Sequence, residues 1–273
     1  MPRSTLSVAI ITLNEADNLE RTLASVRFAD EIVVVDSGST DPTVEIARSF
    51  GAKVFPEAWK GFALQKNSAI DKCVETWVLS LDADEELTAE LQAEIRNMLE
   101  ADEQIAPQVN GYRLRLRHVF LGRWMRFGGY YPDMKLRLFR RVTSSGIAHF
   151  TARPVHESVQ VAGRVETMKQ DFLHHGYPDL ETYLEHMNRY STLGGQIAAA
   201  KGKISRSWPA FCWNVALVPL LTFVWNYFFR LGFLDGREGL LLHLYHSAYI
   251  SWKYAKAWRM GDHEAEIWSK RTI

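Results

Sequence analysis

Cysteine is nearly missing from this 273-residue chain: only Cys73 and Cys212 occur, with no metal-ligand spacing. A disulfide framework and a cysteine-held zinc site are excluded, and a reduced, cytosolic setting is expected. No Gly-x-Gly-x-x-Gly follows the first apolar run, and no Gly-x-x-x-x-Gly-Lys-Ser/Thr occurs anywhere. A dinucleotide oxidoreductase and a P-loop NTPase therefore lose their phosphate-cradling loops. Internal repeats and low-complexity segments are also absent. The apolar run within Met1–Thr12 is too short for a signal peptide and reads as a first strand.

Net charge is zero, but it is unevenly spread. Residues 1–110 carry nine Lys/Arg against twenty Asp/Glu, whereas residues 111–160 carry ten against two. An acidic first half followed by basic segments suggests an anionic ligand or surface met by the second half; no nucleic-acid partner is expected.

The chain is organised around Val78-Leu79-Ser80-Leu81-Asp82-Ala83-Asp84-Glu85-Glu86. A short apolar run ending in carboxylates reads as a buried strand delivering acids to the rim of a sheet. In extended backbone Asp82 and Asp84 leave the same face, where they repel unless a cation lies near. A hard divalent ion bridging to a substrate diphosphate answers that need. An acidic turn before a helix starting near Thr88 answers it as well.

Around this stretch strands and helices alternate. Leu6–Ile11 and Glu31–Asp36 are strands, Ala52–Phe55 is a third, and helices follow Asn14, Pro42 and Phe62. Asn14 is expected to cap the first helix and Asp41 the second. Four alternations predict a doubly wound α/β layer with its ligand at the carboxyl ends of the strands, where the loops at Asp36 and Asp82 both fall. From Gly111 the pattern changes. Arg113, Arg115 and Arg117 alternate with Tyr112, Leu114 and Leu116, and Arg137 alternates with Leu136 and Leu138, as in half-buried antiparallel strands. Glu157 is a lone acid in Pro-Val-His-Glu, either a strand-edge partner for an arginine or a catalytic group. His174 and His175 read as loop residues rather than ligands, before a helix over Leu180–Ala200.

Phe211 to Phe229 contains no charged residue and approaches the minimum length for crossing a bilayer. Pro219, Asn214 and Asn226 within it and Arg230 after it argue against a clean span. Beyond it, Leu241, Tyr245, Ala248, Trp252 and Ala255 follow helical spacing, with Lys253, Lys256 and Arg259 alongside. That pattern suits a helix in a membrane interface with its basic side towards headgroups.

Five motifs in order carry a resemblance: Thr-Leu-Asn-Glu, Asp-Ser-Gly-Ser-Thr-Asp, Gln-Lys-Asn, Asp-Ala-Asp, and Tyr-Pro-Asp-Met-Lys-Leu-Arg-Leu-Phe with Pro-Val-His-Glu. Together they resemble the family 2 glycosyltransferases of GT-A fold, in the branch that includes bacterial lipopolysaccharide core glucosyltransferases. The resemblance spans about residues 5–200. It implies a Rossmann-like nucleotide-sugar-binding sheet with antiparallel additions, here followed by a C-terminal helical, membrane-associating region, with domains at 1–203 and 204–273. It further implies that Asp36 receives the nucleotide base, with Thr12, Asn14 and Glu15 lining the same pocket. Lys66 would face the diphosphate, Asp82 the ribose, Asp84 would hold Mg2+ or Mn2+, and Glu157 would be the catalytic base.

Processive members carry Gln-x-x-Arg-Trp, whereas Phe120 stands where that glutamine would precede Arg123-Trp124. A single-addition, inverting hexosyltransferase is therefore expected, acting on a nucleoside-diphosphate sugar and a lipid-linked saccharide hydroxyl. Its setting would be lipopolysaccharide core or related envelope synthesis, at the cytosolic face of the inner membrane. The alternatives are a polyprenyl-phosphate sugar transferase, whose ionised acceptor needs no base, and a silent nucleotide-sugar-binding or membrane scaffold protein.

Overall fold

The apolar runs that open the chain become the parallel half of a nine-stranded sheet. The structure, a computed structural model, describes residues 3–105, 109–143, 146–151 and 158–271. In chain order come β1 (Leu6–Thr12), α1 (Ala16–Ser25), β2 (Glu31–Asp36), α2 (Thr43–Ser49), β3 (Lys53–Pro56), α3 (Phe62–Lys72) and β4 (Trp77–Asp82). β5 (Glu85–Leu87), α4 (Ala89–Ile105), β6 (Val109–Phe120), β7 (Arg123–Trp124) and β8 (Asp133–Arg140) follow. Short pairs β9 (Val142–Thr143) with β10 (Gly146–Ile147) and β11 (His149–Thr151) with β12 (Ser158–Gln160) precede β13 (Arg164–Tyr177) and α5 (Leu180–Ala200).

The sheet order is β3-β2-β1-β4-β8-β6-β13-β5, with β7 paired to β6. β3, β2, β1 and β4 are parallel; the largely apolar, buried runs of β1, β2 and β4 suit strands covered on both faces, while β3 is the half-exposed edge strand. β8 joins β4 antiparallel, and β6, whose apolar residues alternate with arginines, joins β8 in the same sense. One face is closed by Leu19 and Leu23 of α1 with Leu91 and Ile95 of α4, the other by Ala69 and Ile70 of α3. Register carries the consequence for function. Thr12 lies opposite Asp36 and Ile11 opposite Asp82, so both acidic loops leave the sheet at the carboxyl end of β1.

By internal contacts the chain divides into two compact units. The first holds the residues up to Arg117 with Pro132–His175; the second holds His118–Tyr131 and the chain from Gly176 on. The sequence suggests a boundary at 203/204; the second unit takes in α5 as well, because α5 lies along the C-terminal helix Gly236–Arg271. Gly195 permits that approach: a Cβ there would stand 3.1 Å from the Lys253 carbonyl and 3.2 Å from the Lys256 Cβ. Lys256 Nζ donates to Asn188 Oδ1 (2.7 Å), Ser191 Oγ (2.8 Å) and Thr192 Oγ1 (2.8 Å) of α5. Leu241, Tyr245 and Trp252 pack with Tyr183 and Met187. The stripe expected to meet headgroups is thus a helix–helix seam, and Lys256 serves α5 instead of a lipid.

Trp208–Phe229 forms one helix of 22 residues, with π-helical turns at Trp213–Leu217 and Trp225–Phe229. Pro219 does not break it. A proline removes the donor for the carbonyl four residues back, here Val215, and Ser251 Oγ donates to that carbonyl at 2.7 Å. Ser247 Oγ donates to the Pro219 carbonyl at 2.6 Å. Two serines of the C-terminal helix therefore fasten the proline turn.

Within this unit His243 is 1% exposed, and neither ring nitrogen has a hydrogen-bond partner among the described residues. Tyr130 and Tyr227 face its ring, and the Cα positions of Gly128 and Gly232 approach so closely that no Cβ would fit. Burial pushes its pKa down to about 4, with His246 adding to the drop and Asp235 opposing it. The unfolded histidine takes a proton near pH 6.5 and the folded one only near 4, so its contribution is full above 6.5 and is lost as pH falls through that window. We expect the second unit to lose roughly 3 kcal/mol between pH 6.5 and 4. His243→Leu should flatten that part of a denaturant-unfolding series; an unchanged slope would show that the ring is already solvated.

Candidate functional site

The β2–α2 loop is built by Asp36, which is 3% exposed. Its Oδ1 accepts from Thr12 Oγ1 (3.0 Å) and Ser39 Oγ (2.5 Å), and its Oδ2 from the N–H groups of Gly38 (3.0 Å) and Ser39 (2.9 Å). Burial would raise this carboxyl; the Ser39, Gly38 and Thr12 donors outweigh it and hold the pKa below its ordinary value. Gly38, at φ 97°, provides the left-handed residue the turn requires. Both oxygens of the residue expected to meet a nucleotide base are thus engaged by its own loop.

Asn14 does not cap α1. It sits at φ 54°, its Oδ1 accepts from the Thr40 N–H at 2.8 Å, and its own N–H donates to Ser39 Oγ at 2.8 Å. α1 is closed from the neighbouring loop: Asp41 Oδ2 accepts from the Ala16 N–H (3.1 Å) and Thr43 Oγ1 from the Glu15 N–H (2.8 Å). Asp41 Oδ1 also accepts from the Thr43 N–H at 3.1 Å, so one carboxylate serves the starts of both helices. Burial raises the Glu15 pKa; its bond from Asn18 opposes this, and the charges of Asp84, Asp41 and Asp82 add to the rise. Thr12, Asn14, Glu15 and Asp36 therefore share one rim with the Asp82 loop.

At that loop the extended backbone ends at Asp82, and Ala83 and Asp84 form a turn. Each acid has its own cation. Asp82 Oδ1 lies 2.8 Å from Lys66 Nζ and Oδ2 lies 2.7 Å from Arg137 Nη2. The same Nη2 lies 2.5 Å from Glu85 Oε1, while Glu85 Oε2 accepts from the Asp82 N–H at 2.9 Å. Lys66 is 4% exposed and its ammonium stands 5.4 Å from the centre of the Phe150 ring. It grips Asp82 from beneath, where the sequence suggested a charge facing diphosphate. Burial would raise Asp82, but Arg137 and Lys66 overcome it and keep that carboxyl ionised. Glu85, 1% exposed, is pushed up to about 7 by burial, against the pull of Arg137.

Asp84 meets a residue the sequence offered only as loop. β5 pairs antiparallel with β13, setting Glu85 opposite His174. His174 Nε2 lies 3.1 Å from Asp84 Oδ2, and the His175 N–H donates to the Asp84 carbonyl at 3.0 Å. Burial alone would lower His174; the carboxylates of Asp84, Glu85 and Asp82 reverse this and raise it to about 9. His175 turns to Glu86, Nε2 to Oε2 at 3.0 Å, with Arg21 Nε 3.6 Å from the same oxygen.

Among the described residues no three His, Cys, Asp or Glu side chains form a ready metal cage. Asp84 and His174 nonetheless fit a divalent cation. A carboxylate oxygen and an imidazole nitrogen 3.1 Å apart are donor types that would hold such a cation together, the imidazole giving up its proton as the cation takes the place of their present ion pair. Glu157 lies outside the described residues. Asp133, the other acid of the basic segment, is 3.0 Å from Lys135 Nζ. Arg137, Glu85 and His174 are the members the sequence reading missed. Arg137 carried a signal, a cation at a strand position otherwise flanked by leucines.

Residues 7–159 match the family model for glycosyl transferase family 2. An uncharacterized glycosyltransferase of Rickettsia bellii is 33% identical over 243 residues, covering 86% of this chain and 80% of that protein. The lipopolysaccharide core biosynthesis glycosyltransferase LpsC of Rhizobium meliloti is 31% identical over 247 residues, covering 86% and 83%. A mannosyltransferase from Pyrobaculum calidifontis, solved with GDP-Man and Mn2+, superimposes with a TM-score of 0.52 over 94% of this chain and 88% of that one, at 17% identity.

Proposed function

The chain belongs to glycosyl transferase family 2 and is a glycosyltransferase; on that premise we propose that it adds one sugar from a nucleoside-diphosphate donor to a hydroxyl of a lipid-linked saccharide, with inversion. The observation that carries the reading is the Asp84–His174 pair beside the Lys66–Asp82–Arg137–Glu85 cluster at the carboxyl ends of β1 and β4. The similarity to LpsC favours lipopolysaccharide core or related envelope synthesis as the setting.

The roles follow from the chemistry of each group. The Asp36 loop and the rim formed by Thr12, Asn14 and Glu15 receive the nucleoside. Any direct bond from Asp36 to the base requires one of its present donors to give way. Lys66 and Arg137 fix Asp82, whose 33% exposure supports a role in accepting from a ribose hydroxyl. Asp84 and His174 would be the protein ligands for a divalent cation, which when bound would neutralise charge on the departing diphosphate. Glu157 accepts the proton from the attacking hydroxyl. An in-line displacement of this kind needs no covalent nucleophile.

Donor turnover across a panel of nucleotide sugars, with and without manganese, separates an enzyme from a silent binding protein. Asp84→Asn should weaken manganese binding at least tenfold, read by the paramagnetic signal of free Mn2+, while the fold survives. The tenfold floor follows because even supporting groups around a metal change affinity by about that much. Wild-type manganese affinity in this variant would remove Asp84 from the metal site.

A further inference from the structure

The Trp208–Phe229 helix is the one described helix apolar and long enough to cross a membrane, yet only 6% of its apolar window is buried. Its exposed residues recur at spacings of three or four from the second turn on: Trp213, Leu217, Leu221, Trp225 and Phe228. The opposite face is occupied, since Val215 and Pro219 accept from Ser251 and Ser247 of the C-terminal helix. We propose that this helix lies in the plane of an anionic membrane, its aromatic stripe sunk into the headgroup–acyl boundary of one leaflet, and that it does not span the bilayer.

Three observations favour a lipid surface in this orientation. First, charge complements headgroups at both ends. Lys201, Lys203 and Arg206 precede the helix and Arg230 and Arg237 follow it, all exposed. Of the two acids nearby, Asp235 is buried, accepting from the N–H groups of Arg126 and Phe127, and Glu238 lies 3.6 Å from Arg123. Cations flanking an aromatic stripe are what anionic headgroups and their boundary attract.

Second, the helix cannot be threaded through hydrocarbon alone. Ser247 is level with Pro219 and Ser251 with Val215, so the C-terminal helix runs antiparallel beside it and carries α5 on its other contacts. α5 exposes Glu181, Glu185 and Arg189. A spanning orientation would draw these charges and the Lys256 network into the bilayer, at a cost of several kcal/mol. An in-plane orientation leaves them in water. Third, Pro209, Cys212, Trp213, Ala216, Leu217 and Leu220 line a groove of about 400 Å³ along the stripe. Flexible acyl chains can fill such a groove. None of the residues of the donor site takes part, so the proposal stands or falls separately from the donor reading.

Cys212 supplies the test. It is exposed, whereas Cys73 is 1% exposed and burial pushes its thiol up to about 12, so a nitroxide reagent labels Cys212 selectively. Two further full-length proteins carry Cys212→Ser with Leu220→Cys or Phe228→Cys, both at exposed positions. The three labels span about 24 Å of helix axis. On phosphatidylglycerol-containing vesicles, accessibility to oxygen and to a water-soluble nickel chelate should place all three at one depth, about 5–10 Å below the headgroups. Depths graded by on the order of 20 Å along the helix would mean that it spans. Labels that avoid the bilayer and broaden one another would mean that a second copy covers the stripe. Either result overturns the proposal. Leu217→Glu with Leu221→Glu should reduce vesicle flotation at least tenfold without changing the far-UV circular dichroism; undiminished flotation also counts against it.

Discussion

Arg137→Leu is expected to destabilise the first unit by about 3–5 kcal/mol, the usual consequence of removing one partner from a buried ion pair. The guanidinium is 8% exposed and one of its nitrogens holds both Asp82 (2.7 Å) and Glu85 (2.5 Å). Leucine would leave Asp82 with Lys66 alone and Glu85 with no directly paired cation among the described residues, only the nearby charge of His174. Glu85 can escape by taking up a proton, since burial already pushes its pKa to about 7. The loss should therefore lie near the lower end at pH 6 and grow above pH 8, where that protonation is opposed. Both bonds fall on Nη2, and Nε has no partner among the described residues, so the bidentate fork is not what the site uses. Arg137→Lys should for that reason recover part of the stability. Denaturant midpoints at unchanged m-value measure both variants. A leucine variant as stable as wild type would show that the two carboxyls need no counter-ion.

Arg137 also shows what the sequence can and cannot disclose. β1, β2 and β4 announce themselves, because a strand covered on both faces must be apolar throughout, and Ile32–Val35 or Val78–Leu81 admits few other readings. The acids that end those strands then have to lie at the ligand-binding rim. Which cation meets which acid is a different matter, since it depends on strand pairing between distant segments. His174 reaches Asp84 only because β13 adds antiparallel to a three-residue strand, β5, that follows a turn. No local pattern in Asp-Glu-Glu-Leu marks that strand, and an acidic turn before the helix near Thr88 is the natural reading of the same residues. The stripe on the C-terminal helix was ambiguous for a related reason. Leu241, Tyr245 and Trp252 have the spacing of a surface face and of a packed seam alike, and the choice was made by α5, whose Gly194 and Gly195 let the other helix approach.

The largest kinetic effect is expected at Glu157. Glu157→Gln should lower sugar transfer about a hundredfold or more, the typical contribution of a positioned base, with donor affinity nearly unchanged. Glutamine keeps the shape and can still accept a hydrogen bond, but it cannot take a proton from an attacking hydroxyl. The variant should also lose the acid limb of the pH–rate profile, which reports the base in its free form. Three outcomes are distinct. An equal loss of donor binding would make Glu157 a structural group. Unchanged transfer would favour an acceptor already ionised, such as a polyprenyl phosphate, which needs no base. A small loss paired with a large one in Asp133→Asn would move the role to that residue. Asp133 is the weaker candidate because its carboxylate is 3.0 Å from Lys135 Nζ.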